Sequence, residues 1–219
     1  MRLLITAGPT SVPLDSVRVI TNTATGRTGE ALANHAASLG HQVVLLTSKP
    51  PDFASAATGV VVERFISPAD LSRLLESHIH LGPQDAIIHS AAISDFEVGA
   101  ILDCHGKEAS HHKLDSDQAP FTVELKKAPK LIDQFRTTWG FSGILVGFKL
   151  ESGLSDQDLL AESEITRTRT SATLMVSNHF QTAAKEAWVG PNQKGIYQKV
   201  DRTKLPVFLL DLITARLKR

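Results

Sequence analysis

Short apolar runs rich in β-forming residues alternate along this chain with segments of helical length, and this alternation constrains the fold more than any other feature. The runs cover residues 3–7, 43–47, 60–66, 86–92, 144–148 and 173–177. Strands that alternate with helices pair in parallel, because each helix returns the chain to the edge where the previous strand began. The sequence therefore predicts a Rossmann-like α/β fold, in which a doubly wound, mainly parallel sheet lies between two layers of helices.

The helices are predicted from the spacing of their apolar residues. One helix begins near Gly26 and ends at Gly40, and its buried face is predicted to comprise Ala31, Leu32, His35, Ala36 and Leu39. A closing helix is predicted over 205–217. Two short runs, 187–189 and 196–200, flank a turn rich in Gly, Pro and Asn and predict a small late hairpin. For 219 residues we expect a single domain, 1–219.

Two regions do not fit the regular alternation. A long polar connection, 8–22, follows the first strand, and the segment 97–119 mixes charged residues and histidines with few apolar ones. Long connections inside a compact domain usually serve a function. We expect 97–119 to be a mobile loop or flap.

The charge balance and the cysteine count exclude several classes of protein. Because 23 basic residues face 23 acidic ones, no net positive field exists to attract nucleic acid or an anionic membrane surface. The sequence contains neither an apolar signal region at its start nor 18 consecutive apolar residues, so we expect a cytoplasmic enzyme. Cys104 is the only cysteine, which rules out an intrachain disulfide.

Polar residues follow four of the predicted strands. They occur in Thr6-Ala7-Gly8, Ser90-Ala91-Ala92, Phe148-Lys149 and Ser177-Asn178. In an open parallel sheet, ligands bind beyond the carboxyl ends of the strands, so one crevice is predicted there. The segment 23–29 could hold a phosphate at a helix N-terminus, or its glycines could simply allow close packing on the sheet; the spacing leaves both interpretations open.

Other nucleotide enzymes fit this sequence less well. The compact G-x-G-x-x-G turn of dinucleotide-binding proteins is missing, as is the G-x-x-x-x-G-K-[ST] loop of P-loop NTPases. Lys49 follows the second strand and could meet a 2′-phosphate, so an NADP-dependent reductase stays an alternative. The only tyrosine, Tyr197, falls in the late hairpin, which weakens that alternative.

An ordered series of motifs resembles the bacterial phosphopantothenoylcysteine synthetases, the phosphopantothenate–cysteine ligases of the DNA/pantothenate metabolism flavoprotein C-terminal domain family. The matching motifs cover nearly the whole chain. They are Ile5-Thr6-Ala7-Gly8-Pro9-Thr10, Pro13-Leu14-Asp15-Ser16-Val17-Arg18, Ile20-Thr21-Asn22, Thr25-Gly26-Arg27-Thr28-Gly29, Ala91-Ala92-Ile93-Ser94-Asp95-Phe96, Lys113-Leu114, Val146-Gly147-Phe148 with Glu151, and Val176-Ser177-Asn178.

The resemblance implies an activity. Such enzymes join 4′-phosphopantothenate to cysteine in coenzyme A biosynthesis, through an acyl-cytidylate formed from CTP with release of pyrophosphate. ATP is possible as the nucleotide, Mg²⁺ is expected to bridge the triphosphate, and its protein ligands stay unknown. The resemblance also implies a homodimer. The decarboxylase domain often fused to this family is absent, so we expect a free-standing synthetase, with a separate decarboxylase as a candidate partner.

The resemblance further implies roles for individual residues. Asn22 would hold the activated acyl group and Lys113 would close over the triphosphate, although a turn asparagine and a solvated lysine are the structural alternatives. Thr25 and Gly26 would bind the substrate phosphate. Phe148 and Ala92 would line the cytosine pocket, and Phe148 could otherwise be ordinary core. The predicted nucleotide contacts together are Gly8, Ala91, Ala92, Asp95, Pro129, Phe148, Arg167 and Arg169.

The chain departs from the family pattern where cations are expected. Asp115-Ser116 follows Lys113-Leu114, and Ala128-Pro129-Lys130 replaces Asn-Pro-Asp. Threonines, Thr166 and Thr170, stand where lysines are usual, with Arg167 and Arg169 as possible substitutes. A catalytically degenerate nucleotide-binding relative is therefore the main alternative.

Four possible metal ligands lie in the predicted flap: Cys104, His105, His111 and His112. Soft ligands of this kind can bind zinc, but the regular pair spacing of zinc motifs is missing and loop histidines are usually solvated.

Overall fold

The computed structural model describes residues 1–49, 59–109, 112–118 and 120–218. In this part of the chain the strands are β1 (Arg2–Ala7), β2 (Ser11–Pro13), β3 (Val19–Thr21), β4 (Gln42–Thr47), β5 (Val60–Arg64), β6 (Ala86–His89), β7 (Phe96–Leu102), β8 (Thr122–Lys127), β9 (Ile144–Glu151), β10 (Leu174–His179), β11 (Glu186–Gly190) and β12 (Gln198–Asp201). The α-helices are α1 (Arg27–Ser38), α2 (Pro68–Leu81), α3 (Gln134–Thr137), α4 (Asp156–Thr170) and α5 (Leu205–Leu217). Short 3-10 helices cover Ser116–Gln118 and Leu131–Asp133.

The central sheet has eight strands in the order β12-β11-β10-β9-β6-β1-β4-β5. The strands from β10 to β5 are parallel, and β11 and β12 continue the sheet as an antiparallel hairpin. The order of the parallel strands is that of a doubly wound Rossmann sheet, and it reverses between β1 and β6. The predicted fold and the late hairpin are confirmed.

Two layers of helices cover the two faces of this sheet. Alternate residues of β1 serve the two faces: Leu3 and Ile5 pack with α1 and α5, whereas Leu4 packs with α2 and α3. All three side chains are fully buried. Burial on both faces explains why the parallel strands read as continuous apolar runs. Each such side chain contributes about 1.5–3 kcal/mol of transfer free energy.

Local signals set the ends of the helices. Ser67 and Asp70 form a capping box at the start of α2, where Pro68 occupies the first turn. Gly40 adopts a φ of 78° directly after the C-cap of α1, as predicted. Helix α5 has the predicted bounds.

The predicted buried face of α1 is partly wrong. Leu32 and Ala36 are buried as expected, but Ala31 is exposed and Leu39 is 54% exposed. Gly29, Ala33 and Ala37 line the contact instead, together with Leu32 and Ala36. These small residues let the helix axis approach the sheet closely. The buried face of α1 is therefore the one that carries small residues, which the apolar pattern alone did not indicate.

The two irregular regions contain short strands. The connection 8–22 includes β2 and β3, which pair as an antiparallel hairpin. The segment predicted as a loop over 97–119 begins instead with β7, which pairs with β8 in a separate two-stranded ribbon. Pairing with Thr122–Lys127, a segment outside the predicted flap, gives β7 the partner that makes it a strand.

In the part of the chain that the structure describes, no helix has both the length and the apolar character needed to span a membrane.

Candidate functional site

The carboxyl ends of β1 and β6 are joined by hydrogen bonds that continue beyond the sheet. The Ala92 N–H donates to the carbonyl oxygen of Gly8 (3.0 Å), and the Thr10 N–H donates to the carbonyl oxygen of Ala92 (3.1 Å). The side-chain amide of Asn22 donates to the same Ala92 oxygen, with Nδ2 at 3.1 Å. Three of the predicted site residues, Gly8, Ala92 and Asn22, thus meet where the strand order reverses. We call this place the junction.

Buried polar residues at the ends of β1 and β6 form hydrogen bonds next to the junction. The Ala91 N–H donates to Thr6 Oγ1 (3.0 Å), which lies 3.2 Å from Nδ1 of His89. His89 is buried against the edge of the Phe135 ring, and burial lowers its pKa to about 4. A neutral imidazole can accept a hydrogen bond from the Thr6 hydroxyl. The hydroxyl oxygen is then oriented to accept from the Ala91 N–H.

A cavity of about 180 Å³ opens beside the junction. Asn22, Ser94 and Asp95 supply its polar lining. The remaining wall is apolar and comes from the hairpin, the ribbon and the end of β6: Val12, Ile20, Ile93, Phe96, Val98 and Leu125. An apolar cavity with a few polar groups at one side is the usual form of a small-molecule site.

The start of α1 approaches the junction from the other side. Gly26 has a φ of 84°, and a Cβ at this position would lie 3.3 Å from the backbone nitrogen of Gly8. Gly26, the N-cap residue of α1, has no side chain to cap the helix, and the N–H of Arg27, the first residue of α1, donates to Thr25 Oγ1 at 3.5 Å. The predicted phosphate residues Thr25 and Gly26 therefore stand beside Gly8.

Arg202, to which the sequence analysis assigned no role, links the start of α1 to the end of β10. Its guanidinium donates to Thr28 Oγ1 in the first turn of α1 and to Asn178 Oδ1 at the end of β10, the latter at 2.9 Å. Burial lowers the pKa of Arg202, but an arginine stays charged at neutral pH. Its position after β12 gives no sequence signal of this contact.

Asp95 and Pro129 are brought together by the ribbon. The Ala128 N–H donates to the carbonyl oxygen of Asp95 (2.9 Å), and Lys130 Nζ lies 3.4 Å from Asp95 Oδ1. Both side chains of this ion pair are largely exposed. Lys130, one of the departures from the family pattern, therefore adds a cation next to the predicted nucleotide residues.

Phe148 lies on the face of the sheet that α1 and α5 cover. Its half-buried ring packs against the cluster of α1 and α5, whereas Leu131, two residues after Pro129, belongs to the cluster of α2 and α3. Any ligand that touches both Phe148 and Pro129 must span the edge of the sheet.

The two predicted arginines lie in the last turn of α4. Arg167 forms hydrogen bonds of 2.8 to 3.0 Å to the carboxylate of Glu164, which also accepts from the Tyr197 hydroxyl at 2.7 Å. Arg169 pairs with Asp133. Since α4 runs back from the end of β9 toward the start of β10, its last turn points away from the junction. The structure does not bring these arginines to Asn22.

Lys113 is exposed, whereas its neighbour Leu114 is only 6% exposed. The Leu114 N–H donates to Asp15 Oδ2 (3.1 Å), and Arg18 Nη2 donates to the Leu114 carbonyl oxygen (3.3 Å). Burial opposes ionisation of Asp15, but hydrogen bonds from Val17, Leu114 and Arg18 and the Arg18 charge together hold its pKa below the ordinary value. Asp15 belongs to a recognised motif, yet the sequence assigned it no role.

The predicted flap ligands are only partly described. Cys104, His105 and His112 are exposed, and His111 lies outside the described residues. Within the described ranges, no three His, Cys, Asp or Glu side chains are placed to hold a metal ion together.

Comparison with known proteins identifies the relatives of this chain. Residues 1–207 match the family model of the DNA/pantothenate metabolism flavoprotein C-terminal domain. The coenzyme A biosynthesis bifunctional protein CoaBC of Thermococcus kodakarensis is 31% identical over 186 residues, which are 84% of this chain and 43% of that protein. The chain thus spans less than half of this relative's length.

Solved structures share the fold over the whole chain. The DNA/pantothenate metabolism flavoprotein of Streptococcus pneumoniae superposes with a TM-score of 0.87 at 25% identity, covering 99% of both chains. A Cab2 mutant solved in complex with phosphopantothenate-cysteine has a TM-score of 0.74 at 19% identity and covers 100% of this chain and 89% of its own. With the family model matching nearly the full length, this chain belongs to the DNA/pantothenate metabolism flavoprotein C-terminal domain family.

Proposed function

We propose that this protein is a phosphopantothenate–cysteine ligase, which joins 4′-phosphopantothenate to cysteine through an acyl-cytidylate in coenzyme A biosynthesis. One observation carries the proposal: Asn22, Gly8 and Ala92 meet beside a cavity at the strand-order reversal of a chain that belongs to this family along residues 1–207. The related Cab2 structure, which holds phosphopantothenate-cysteine, supports the substrate class.

The reaction has two steps. The carboxylate of 4′-phosphopantothenate attacks the α-phosphate of CTP, the bond to the β-phosphate breaks, and pyrophosphate leaves. The amine of cysteine then attacks the acyl carbon and loses a proton, while CMP leaves with the electrons of the broken acyl–oxygen bond. Negative charge grows on oxygen in both steps, so fixed hydrogen-bond donors lower the barriers.

In this proposal Asn22 would hold the acyl group. One of its amide hydrogens is directed to the Ala92 carbonyl oxygen, which orients the side chain. An Asn amide carries two hydrogens, so the second can donate to the acyl oxygen as charge develops there. The apolar wall beside Asn22 suits the aliphatic part of 4′-phosphopantothenate. Thr25 and Gly26, at the start of α1, would bind its phosphate.

Lys113 would neutralise the departing pyrophosphate. Its side chain is exposed, and its neighbour Leu114 is anchored to the hairpin that leads into Asn22. An ammonium group on a long flexible stem can follow the phosphates as the bond to the leaving group breaks.

The nucleotide would lie along the end of β6 and the turn before α3. Ala91, Asp95, Pro129 and Phe148 are its proposed contacts, with Lys130 beside Asp95 as an additional cation. CTP is the proposed nucleotide, and ATP is the alternative to be compared with it.

Mg²⁺ fits this site as an ion carried by the nucleotide. The described residues offer no cluster of three acidic or histidine ligands, and Mg²⁺ commonly keeps phosphate oxygens and water as most of its ligands. When bound, the ion would supply charge stabilisation to the triphosphate. The protein contribution here is to orient the phosphates through Lys113 and the start of α1.

A homodimer is also part of the proposal. Exposed apolar side chains cluster on the hairpin and the ribbon: Val17 is 64% exposed, Val19 55%, Phe96 50% and Leu125 47%. A second copy covering this surface would remove it from water and enclose the cavity. A cytoplasmic location and a separate decarboxylase complete the proposed context.

A catalytically degenerate nucleotide-binding protein is the second candidate. It is favoured by the pairing of Arg167 with Glu164 and of Arg169 with Asp133, because charges already paired are less available to replace the family's lysines. An NADP-dependent reductase gains no support, since Tyr197 donates its hydroxyl hydrogen to Glu164 and burial raises its pKa.

The decisive experiment is a pyrophosphate-release assay. Purified protein is given Mg²⁺ and 4′-phosphopantothenate, with CTP or ATP, in the presence or absence of cysteine. The ligase predicts pyrophosphate release with CTP and formation of CMP that depends on cysteine. Nucleotide binding without pyrophosphate release, by protein shown to be folded, would favour the degenerate relative.

A further inference from the structure

Leu114 is held at both its backbone polar groups by the turn between β2 and β3. Its N–H donates to Asp15 Oδ2 at 3.1 Å, and its carbonyl oxygen accepts from Arg18 Nη2 at 3.3 Å. The Leu114 side chain is 6% exposed, in a segment that is otherwise mostly exposed. One residue of the predicted flap is therefore fixed to a distant part of the chain.

The carboxylate of Asp15 is fully used in this arrangement. Oδ1 accepts from the backbone nitrogens of Val17 (2.9 Å) and Arg18 (2.7 Å), and Oδ2 accepts from Arg18 Nη1 (3.0 Å) as well as from Leu114. The Asp15 side chain has no exposed surface. A carboxylate with this many donors, excluded from water, has one orientation.

The two hydrogen bonds to Oδ1 are enough to form the turn. An aspartate commonly stabilises a turn by accepting from the N–H groups two and three residues after it. The bond from Oδ2 to Leu114 joins residues 99 positions apart in the chain and contributes nothing to the local turn. It needs an explanation of its own.

We propose that Asp15 is a positioning residue, which anchors the segment carrying Lys113 to the hairpin that leads into Asn22. The anchor fixes the backbone next to Lys113, so that its ammonium group searches a smaller volume than it would on an unattached segment. The inference rests on the proposed function only in taking the task of Lys113 to be stabilisation of the departing pyrophosphate. The anchoring itself is independent of that function.

The test variant is Asp15→Asn, which keeps the shape of the side chain and removes its charge and one acceptor oxygen. Asp70→Asn is the matched control, because Asp70 also accepts several hydrogen bonds, from Ile66 and Ser67 at the start of α2, without contacting Leu114. Hydrogen–deuterium exchange of the peptide containing Leu114 should accelerate by roughly 10-fold in Asp15→Asn and stay unchanged in Asp70→Asn.

The kinetic expectation is specific to positioning. Asp15→Asn should lower kcat for pyrophosphate release by roughly 10-fold, with KM for 4′-phosphopantothenate changed by less than about 3-fold. In a Lys113→Ala background the same substitution should lower kcat by less than about 2-fold, because the residue that Asp15 positions is already gone. Equal losses in both backgrounds would overturn the proposal.

The exchange and kinetic arms separate the two hypotheses. If the wild-type protein releases no pyrophosphate with CTP or ATP, the proposed function fails, and exchange at Leu114 still decides the anchor. Unchanged exchange in Asp15→Asn refutes the anchor whatever the activity. Should Asp15→Asn fail to fold, Leu114→Pro removes the donor N–H from the other side of the same bond and is held to the kinetic expectation, with exchange followed at the neighbouring amides.

Discussion

The junction and the appended two-stranded elements meet at one cavity but are built in different ways. At the junction, backbone groups of Gly8, Thr10 and Ala92 bond one another directly, and the helix α1 packs against them through glycine. The hairpin and the ribbon instead expose apolar side chains, and the segment after the ribbon's first strand is held at Leu114 by Asp15 and Arg18. The junction thus supplies fixed backbone groups, whereas the appended elements supply most of the apolar cavity wall and the segment that carries Lys113.

This contrast suggests that the two parts have different functions. A site formed by backbone at strand ends is costly to deform, so it can hold a substrate in one geometry. A charge on an appended segment can approach and withdraw as the nucleotide enters and pyrophosphate leaves. Substitutions in the appended part should therefore reduce the rate, and substitutions in the junction should reduce stability.

The largest effect is expected at Lys113. Lys113→Ala should lower the rate of pyrophosphate release by roughly 100-fold, because one charged donor to the developing negative charge is lost. The melting temperature should stay within about 1 °C, since the side chain is exposed. Lys126→Ala, a change of the same type on an exposed lysine of β8, is the control and should keep the wild-type rate. An undiminished rate in Lys113→Ala would remove the lysine from the mechanism.

At the junction, Gly29→Ala should destabilise the protein by about 1 to 3 kcal/mol. The added Cβ would lie 2.6 Å from the Ala7 Cβ and 2.9 Å from Ser90 Oγ, so α1 must shift away from the end of β1. Urea unfolding measures the loss. Ala31→Ser adds an atom at an exposed position of the same helix and should change stability by less than about 0.5 kcal/mol. A stable Gly29→Ala would show that the junction tolerates more space than its contacts suggest.

His89, buried next to the junction, should make the free energy of unfolding depend on pH. The pKa of His89 is about 4 in the folded protein against 6.5 for an ordinary histidine, so the unfolded chain binds the proton more readily. The stability that the folded state gains from keeping His89 neutral is complete above pH 6.5 and is lost as the pH falls toward 4. Between pH 7 and pH 5 the free energy of unfolding should drop by about 2 kcal/mol from this residue.

The contribution of His89 can be isolated by comparison with His89→Asn, which has no titrating ring. His41, whose pKa burial also lowers, adds a loss in the same direction to both proteins. Urea denaturation at the two pH values should give a smaller drop for the variant. Equal drops in the two proteins would mean that His89 is not the titrating group.

The smallest effect is expected at the exposed ion pair of Lys130 and Asp95. Lys130→Ala should change the free energy of unfolding by less than about 1 kcal/mol, because exposed pairs are screened by solvent. If Lys130 serves the nucleotide, KM for CTP should rise while stability is kept. A large loss of stability would instead identify the pair as a structural tie between β6 and α3.

The sequence alone determined most of the fold. The apolar runs are continuous because both faces of each parallel strand are buried, and this physical requirement is visible without any structure. The late hairpin, the bounds of α5 and the cap at Gly40 were predicted for similarly local reasons. The closeness of Gly8 and Ala92 also follows from strand ends in a parallel sheet, whereas Asn22 was predicted only from the family resemblance.

Only the tertiary structure decided the rest. The strand β7 exists because Thr122–Lys127 pairs with it, and the contact of Asp15 with Leu114 joins segments that share no local pattern. The exposed face of α1 and the pairing of Arg167 and Arg169 with acids likewise depend on which neighbours fold against them. Local sequence reports the burial and turn preferences of each segment, but a contact between distant segments is chosen by the packing of the whole chain.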